Sequence, residues 1–235
     1  MTDLSYVGRE LDVFSKAVNW KRYWKQTILP YMGKTVLEVG AGIGGTTRVI
    51  CNDSFDYWLG LEPDAAMFQY LQQGKLDGNF PACCNFQQGT IEDLGAEEHF
   101  DSILYIDVLE HIENDADEVC RAATHLNPSG HLIVLSPAYQ WLYTPFDAAI
   151  GHYRRYTRRT LRMLRPPQCS LCTCFYLDSI GMLASLGNKL LLRASQPSEQ
   201  QILFWDSALV GLSKKIDPLL FFQLGRSIIA VWKRD

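Results

Sequence analysis

One apolar run that breaks into glycines limits what this chain can become: Val36-Leu-Glu-Val-Gly40-Ala-Gly42-Ile-Gly44-Gly45-Thr46. Glycine tolerates left-handed backbone and close approach of another group, so the run reads as a strand, a tight turn and a helix start. The helix beyond it offers unsatisfied N–H groups to an anion or a carboxylate. Such a unit builds parallel sheets, and the chain keeps its rhythm. Strand-like runs at 35–39, 57–61, 85–88, 102–106 and 131–135 alternate with helix-like runs at 65–73 and 115–126. An amphipathic helix over 11–29 precedes them, ending near Pro30. After them the pattern loosens into an aromatic loop at 136–156, a short basic helix opened by Thr157, a strand at 171–177, helices at 180–194 and 201–215, and a last strand at 227–233. Seven strands are thus expected, the last arriving after a long detour.

The glycine loop alone fits two ligands. Gly40-x-Gly42-x-x-Gly45 satisfies a dinucleotide fingerprint, with Glu62 at about the spacing of a ribose-binding carboxylate. Read instead as Glu38-x-Gly40-x-Gly42-x-Gly44, it places an acid two residues before the first glycine. There it can accept from the ammonium of a methionine moiety, a group a dinucleotide lacks. Later segments narrow the choice. Leu61-Glu62-Pro63-Asp64 puts a carboxylate at the edge of the second strand, with Asp64 rather than Glu62 suited to cap the next helix. Gln88-Gly89-Thr90-Ile91-Glu92-Asp93-Leu94 follows the third strand. Phe100-Asp-Ser-Ile-Leu-Tyr-Ile-Asp107-Val108-Leu-Glu110-His111-Ile112 carries the fourth into the crevice.

Together these segments resemble the motifs of the class I S-adenosylmethionine-dependent methyltransferases, and among them the small-molecule group typified by ubiquinone- and menaquinone-pathway enzymes. VLEVGAGIG is similar to the first motif, GLEPD to the second, QGTIEDL to the third and FDSILYIDVLEHI to the fourth. LNPSGHLIVLSP is similar to the segment around the fifth strand, with Ser129-Gly130 where Gly-Gly is usual. The correspondence covers about residues 34–137. It implies a Rossmann-like, seven-stranded, mostly parallel α/β sheet with helices on both faces and the last strand antiparallel. The cofactor it implies is S-adenosylmethionine, with S-adenosylhomocysteine as product. Glu38, Gly40, Ala41, Gly42, Gly44 and Thr46 would hold the methionine part, Glu62 and Pro63 the ribose, Gly89, Thr90, Ile91 and Glu92 the adenine, and Asp107 and Val108 the tip of strand four. The expected organisation is a single domain over 1–235. A helical cap at 1–33 and a cofactor core at 34–137 are joined by substrate-side insertions at 138–170 and 178–225.

Ligands of an open α/β sheet bind outside the carboxyl ends of its strands. His111, His152 and Tyr153 are accordingly the candidate catalytic groups, His111 as a base weighed against packing of the next helix. Tyr139 and Trp141 sit in the aromatic loop, Tyr23 on the first helix; each is a candidate substrate contact weighed against plain core packing. Gly151-His-Tyr-Arg-Arg-Tyr-Thr157 resembles a stretch found in this methyltransferase group. Arg154, Arg158 and Arg162 would share one helix face, and Arg155 would pair with a carboxylate or phosphate on the substrate, against the plainer reading of a solvated basic face.

Other classes fit less well. A net charge of −4 disfavours a general nucleic-acid binder, and the strand-four tip lacks the N/D-P-P-Y/F of base-amine methyltransferases. Glu38 disfavours an NAD-dependent oxidoreductase. The seven cysteines are odd in number and no export signal is seen, so no disulfide framework is expected. Cys169-x-x-Cys172-x-Cys174 lacks a second ligand pair, and no metal is expected. No stretch suits a membrane span. The expected protein is cytoplasmic, a monomer or homodimer, acting on a small molecule and not on a nucleic acid.

Overall fold

The computed structural model describes residues 16–187 and 198–235. Its sheet has seven strands in the order β3-β2-β1-β4-β5-β7-β6. They are β1 (Thr35–Val39), β2 (Tyr57–Glu62), β3 (Cys84–Gln88), β4 (Phe100–Ile106), β5 (Leu126–Pro137), β6 (Cys169–Leu177) and β7 (Ser227–Arg234). The first five pair in parallel, and β7 runs antiparallel to both β5 and β6. The expected Rossmann-like architecture is therefore present, with the last strand inserted rather than added at an edge.

Alternate residues of each strand feed two cores, as buried parallel strands require. On one face Val36, Trp58, Leu104, Ile133 and Val231 meet Trp24 and Ile28 of α1 (Val18–Ile28), Leu71 of α3 (Ala65–Leu76) and Val210 of α9 (Val210–Leu219). On the other, Leu37, Leu59, Ile103, Leu132 and Ile228 meet Val119 and Ala122 of α4 (Asp115–Thr124) and Leu161 of α6 (Arg158–Met163). The remaining short helices are α2 (Thr47–Ile50), α5 (Pro145–Ala149), α7 (Ser179–Gly187) and α8 (Glu199–Phe204). None of the described helices is long and apolar enough to cross a membrane.

Three buried aspartates tie the late helices to the sheet. Asp206, in a π-helical turn at Trp205–Leu209, accepts from the backbone of Asn19 and Trp20. It caps α1 from across the chain, where Ala17 has no side chain to do so. Asp178 stands at φ +66 after β6 and accepts from Trp205, Ser213 and the Gly181 backbone. Asp217 of α9 accepts from Tyr23 and from the backbone of Asp178 and Ser179.

Some boundaries differ from expectation. The turn expected at 127–130 lies inside β5, because Leu126 already pairs with Phe100 across an irregularity in β4. Ser129 takes the strained backbone, at φ +66, and Gly130 the tight spot, where a side chain would meet the Asn127 carbonyl at 2.8 Å. The helix expected over 201–215 is three segments, α8, the π turn and α9, and it runs on to Leu219 through Pro218. Residues 11–15 and 188–194 of the expected helices lie outside the described residues.

Candidate active site

The site begins with the loop between β1 and α2. Gly40, Gly42 and Gly44 all have positive φ, at +69, +56 and +78. A side chain on Gly40 would meet Val108 Cγ2 at 2.7 Å, so the loop presses directly on the tip of β4. Glu38 lies beneath it, 2% exposed. Its Oε2 accepts from Thr47 Oγ1 at 2.5 Å and from Trp58 Nε1 at 3.0 Å. Burial pushes its carboxyl up to about 7, opposed by those hydrogen bonds and by the nearby Lys21 ammonium. The same ammonium reaches the loop from α1, for a side chain on Gly45 would meet Lys21 Nζ at 2.9 Å.

A carboxyl whose pKa is raised by folding holds its proton better when folded, so its contribution to stability falls as pH rises from about 4.5 through the native value. Glu38→Gln keeps an oxygen for the same two donors and removes the charge. Its stability relative to the parent is expected to rise by ~2–3 kcal/mol between pH 5 and pH 8. Urea unfolding at the two pH values checks this; an equal difference at both would contradict it.

Glu62 closes the loop from β2, taking Gly42 N–H at 2.6 Å and Asp64 N–H at 2.9 Å. Each oxygen keeps a lone pair for a further donor. Asp64 caps α3 through the backbone of Ala66 and Met67, as expected from Pro63 between them. After β3, Gly89 has φ +146 and Thr90 shares a capping box with Asp93. Ile91 is buried, whereas Glu92 is exposed and paired with Arg121 at 2.9 Å. Asp93, not singled out in the sequence, is thus the acid that shapes this loop. Asp107 stands at φ +54 at the tip of β4 and is exposed toward the cleft. Surrounding protein raises its carboxyl pKa, opposed by the charges of His152, Arg226 and Lys21.

Beyond Val108 a turn at Leu109–His111 carries Glu110 and His111 into contact with the loop after α5. The His111 and His152 rings meet edge to face, with centroids 4.5 Å apart. Glu110 is fully buried, and its Oε1 lies 3.9 Å from His152 Nε2. Neither Glu110 oxygen has a hydrogen-bond donor in bonding geometry. Desolvation and the Asp107 charge raise its carboxyl well above the usual range. Burial and His152 lower the pKa of His111. His152 Nδ1 bonds Asp147 Oδ1 at 3.0 Å. Arg155 grips the same carboxylate with Nε at 2.8 Å and Nη2 at 2.9 Å. These bonds hold Asp147 well below the usual carboxylate range. Glu110 and Asp147 escaped sequence reasoning. The signals were present: an acid beside His111, and a Thr144-Pro-Phe-Asp147 capping box five residues before His152.

The structure departs from several substrate-side expectations. Tyr23 is 5% exposed and donates to Asp217 at 2.8 Å, so it belongs to the core joining α1 and α9. Arg155 is committed to Asp147 and is not open to a substrate anion. Arg154 precedes α6 rather than sharing its face, and pairs with Asp115 at 2.8 Å. Tyr139, at φ +63, stacks on Tyr176 with centroids 4.7 Å apart. Trp141 and Tyr153 are about half exposed. Histidines and glycine loop thus converge on one end of the sheet, and the arginines brace its rim.

Residues 37–132 match the family model of a methyltransferase domain. A demethylmenaquinone methyltransferase of Tropheryma whipplei is 28% identical over 156 residues, which cover 64% of this chain and 59% of that protein. A tRNA U34 carboxymethyltransferase of Klebsiella pneumoniae is 29% identical over 121 residues, 49% of this chain and 36% of that protein. The chain therefore matches between a third and three-fifths of the length of these relatives. Coclaurine N-methyltransferase, solved with N-methylheliamine and S-adenosylhomocysteine, shares the fold at a TM-score of 0.61 and 13% identity, covering 91% of this chain and 72% of that one. Residues 37–132 of this chain thus resemble a methyltransferase domain, and the chain shares the fold of a solved methyltransferase. The matched stretch runs from β1 to β5 and contains the glycine loop, Glu62, the Gly89–Asp93 loop and the Glu110-His111 turn. His152 and Asp147 lie outside it. The residues present suit the family's cofactor: positive-φ glycines leave backbone bare at the strand ends, and carboxylates stand at β1 and β2.

Proposed function

We propose that this chain is a class I S-adenosylmethionine-dependent methyltransferase that moves the cofactor's methyl group to a small-molecule acceptor seated over His111 and His152. The observation that carries the reading is the polar cluster of buried Glu110, half-buried His152 and exposed His111, reached from the same β4 tip that packs against the glycine loop. A net charge of −4 and the commitment of Arg155 to Asp147 speak for an acceptor not selected by its anionic groups. The cofactor supplies an activated methyl on a sulfonium, so the chain's own task is alignment and exclusion of water. In this reading Gly40, Ala41, Gly42, Gly44 and Thr46 cradle the methionine part, with Glu38 propping the loop. Glu62 and Pro63 face the ribose, while Gly89, Thr90 and Ile91 border the adenine, with Glu92 at its rim. Asp107 and Val108 floor the cleft. His111 or His152 takes a proton from the acceptor where it carries one, beneath Tyr139, Trp141 and Tyr153. The reading includes a single domain, a cytoplasmic location and a monomer or homodimer.

Heavy-methyl cofactor incubated with the protein and a cellular metabolite extract should yield a labelled small molecule by mass spectrometry. Labelled RNA with no labelled metabolite would instead favour a nucleic-acid acceptor, to which the tRNA-acting relative points. Glu62→Ala should weaken S-adenosylhomocysteine binding about 10- to 100-fold by titration calorimetry, since two ribose hydrogen bonds to a charged group are lost. Unchanged affinity would remove Glu62 from the ribose site.

A further inference from the structure

We infer that Glu110, His111 and His152 form a binding site for a first-row divalent transition ion. The three side chains come from two separate segments, the turn after β4 and the loop after α5, and one ligand atom from each lies within 4.8 Å of the others. Nitrogen and oxygen ligands stand about 2.0–2.2 Å from such an ion, so side-chain rotations on the order of 1 Å close the set around it. Two imidazoles and one carboxylate, with positions left open, suit iron, manganese, cobalt or zinc better than magnesium or calcium.

Two further observations point the same way. The first is Glu110 itself, 0% exposed, with neither oxygen in good hydrogen-bonding geometry and only the Ser136 hydroxyl and its own backbone N–H acting on it as weak donors. A buried carboxyl so placed either keeps its proton or, once ionised, calls for a cation. The neighbouring cation Arg155 is already gripped by Asp147, and Arg154 by Asp115. The second is how His152 is held. Its Nδ1 bonds Asp147 at 3.0 Å, which leaves Nε2 facing Glu110. A carboxylate behind the ligating imidazole is the usual way a protein aims a histidine at a metal. The two segments are also pinned together by Tyr153 N–H on the Glu110 carbonyl at 2.8 Å. Asp147 is therefore a positioning residue, and Arg155 and Thr144 position Asp147 in turn.

The ion would serve the reaction proposed above, and that use rests on it; the binding claim does not. An acceptor hydroxyl on an open coordination position loses its proton to solvent more readily. Its oxygen then forms the O–CH3 bond as the S–CH3 bond breaks, and that electron pair returns to sulfur, giving S-adenosylhomocysteine.

The test uses the full chain, stripped with a chelator and titrated with Mn2+, which thiolates bind poorly, and with Co2+ as a spectroscopic probe. One ion per chain is expected, with Co2+ absorption bands of a nitrogen-containing site. His111→Gln and His152→Gln should each lower affinity at least about 100-fold, and Asp147→Asn about 10- to 100-fold. His131→Gln, on the far part of β5, should leave it unchanged. Circular dichroism and S-adenosylhomocysteine binding report whether each variant is folded; His111 is exposed, so its variant keeps the test alive should the buried ones unfold. No Mn2+ or Co2+ binding by the folded parent, or equal binding by folded His111→Gln, overturns the site. Metal binding without cofactor binding would sink the methyl-transfer reading and leave the site standing.

Discussion

Gly40→Ala is expected to weaken S-adenosylhomocysteine binding by at least about 30-fold. Two costs add. Gly40 sits at φ +69, where a side chain costs about 1–2 kcal/mol. Its new Cβ would also stand 2.7 Å from Val108 Cγ2 and 3.0 Å from Cγ1. The loop relieves both by lifting away from β4, which disperses the backbone N–H groups that the cofactor would meet. Gly40→Ala with Val108→Ala removes the clash and keeps the backbone strain, so it should recover part of the affinity. Calorimetric titration measures all three proteins. Wild-type affinity in the single variant would mean that the cofactor does not lie on this loop.

Asp217→Ala should cost about 3–5 kcal/mol of stability, the range for stripping a buried charged acceptor from its donors. Asp217 is 0% exposed. Removing it strands Tyr23 Oη and the backbone N–H groups of Asp178 and Ser179, which it now serves at 2.8, 2.7 and 3.0 Å. At about 2–4 °C per kcal/mol for a chain of this size, Tm should fall on the order of 10 °C. Asp217→Asn retains an acceptor and should fall less. A loss under about 1 kcal/mol in the alanine variant would show that water replaces the carboxylate and that the anchor is weak.

The local shape of the glycine-loop half was legible because it is written locally. β1, the glycine loop and the Glu62-Pro63-Asp64 corner are each written within a few residues, and their backbone demands select their residue types. The existence of β4 and β7 followed from continuous apolar runs. The acceptor half was not legible for the opposite reason. Whether Arg155 meets a substrate depends on Asp147, and whether Tyr23 faces a cleft depends on Asp217, a partner 194 positions away. A basic run such as 154–165 shows its charge in sequence but not its counter-charges. Here Asp115 and Asp147 supply them, so the apparent patch is largely neutralised at its start. Glu110 was overlooked because an acid next to a histidine looks like ordinary turn chemistry until its burial is known.

The insertion of β7 between β5 and β6 has a consequence for how the molecule is made. β5 is complete once residue 137 is synthesised, yet the strand that covers its open side begins at Ser227. During that interval the nascent chain carries an uncapped hydrogen-bonding edge flanked by Leu132, Ile133, Val134 and Leu135, all of them destined for burial. Such an edge invites pairing with another chain. Folding of this protein should therefore be governed by a late, long-range docking event, with yield sensitive to concentration and to chaperone supply until β7 arrives.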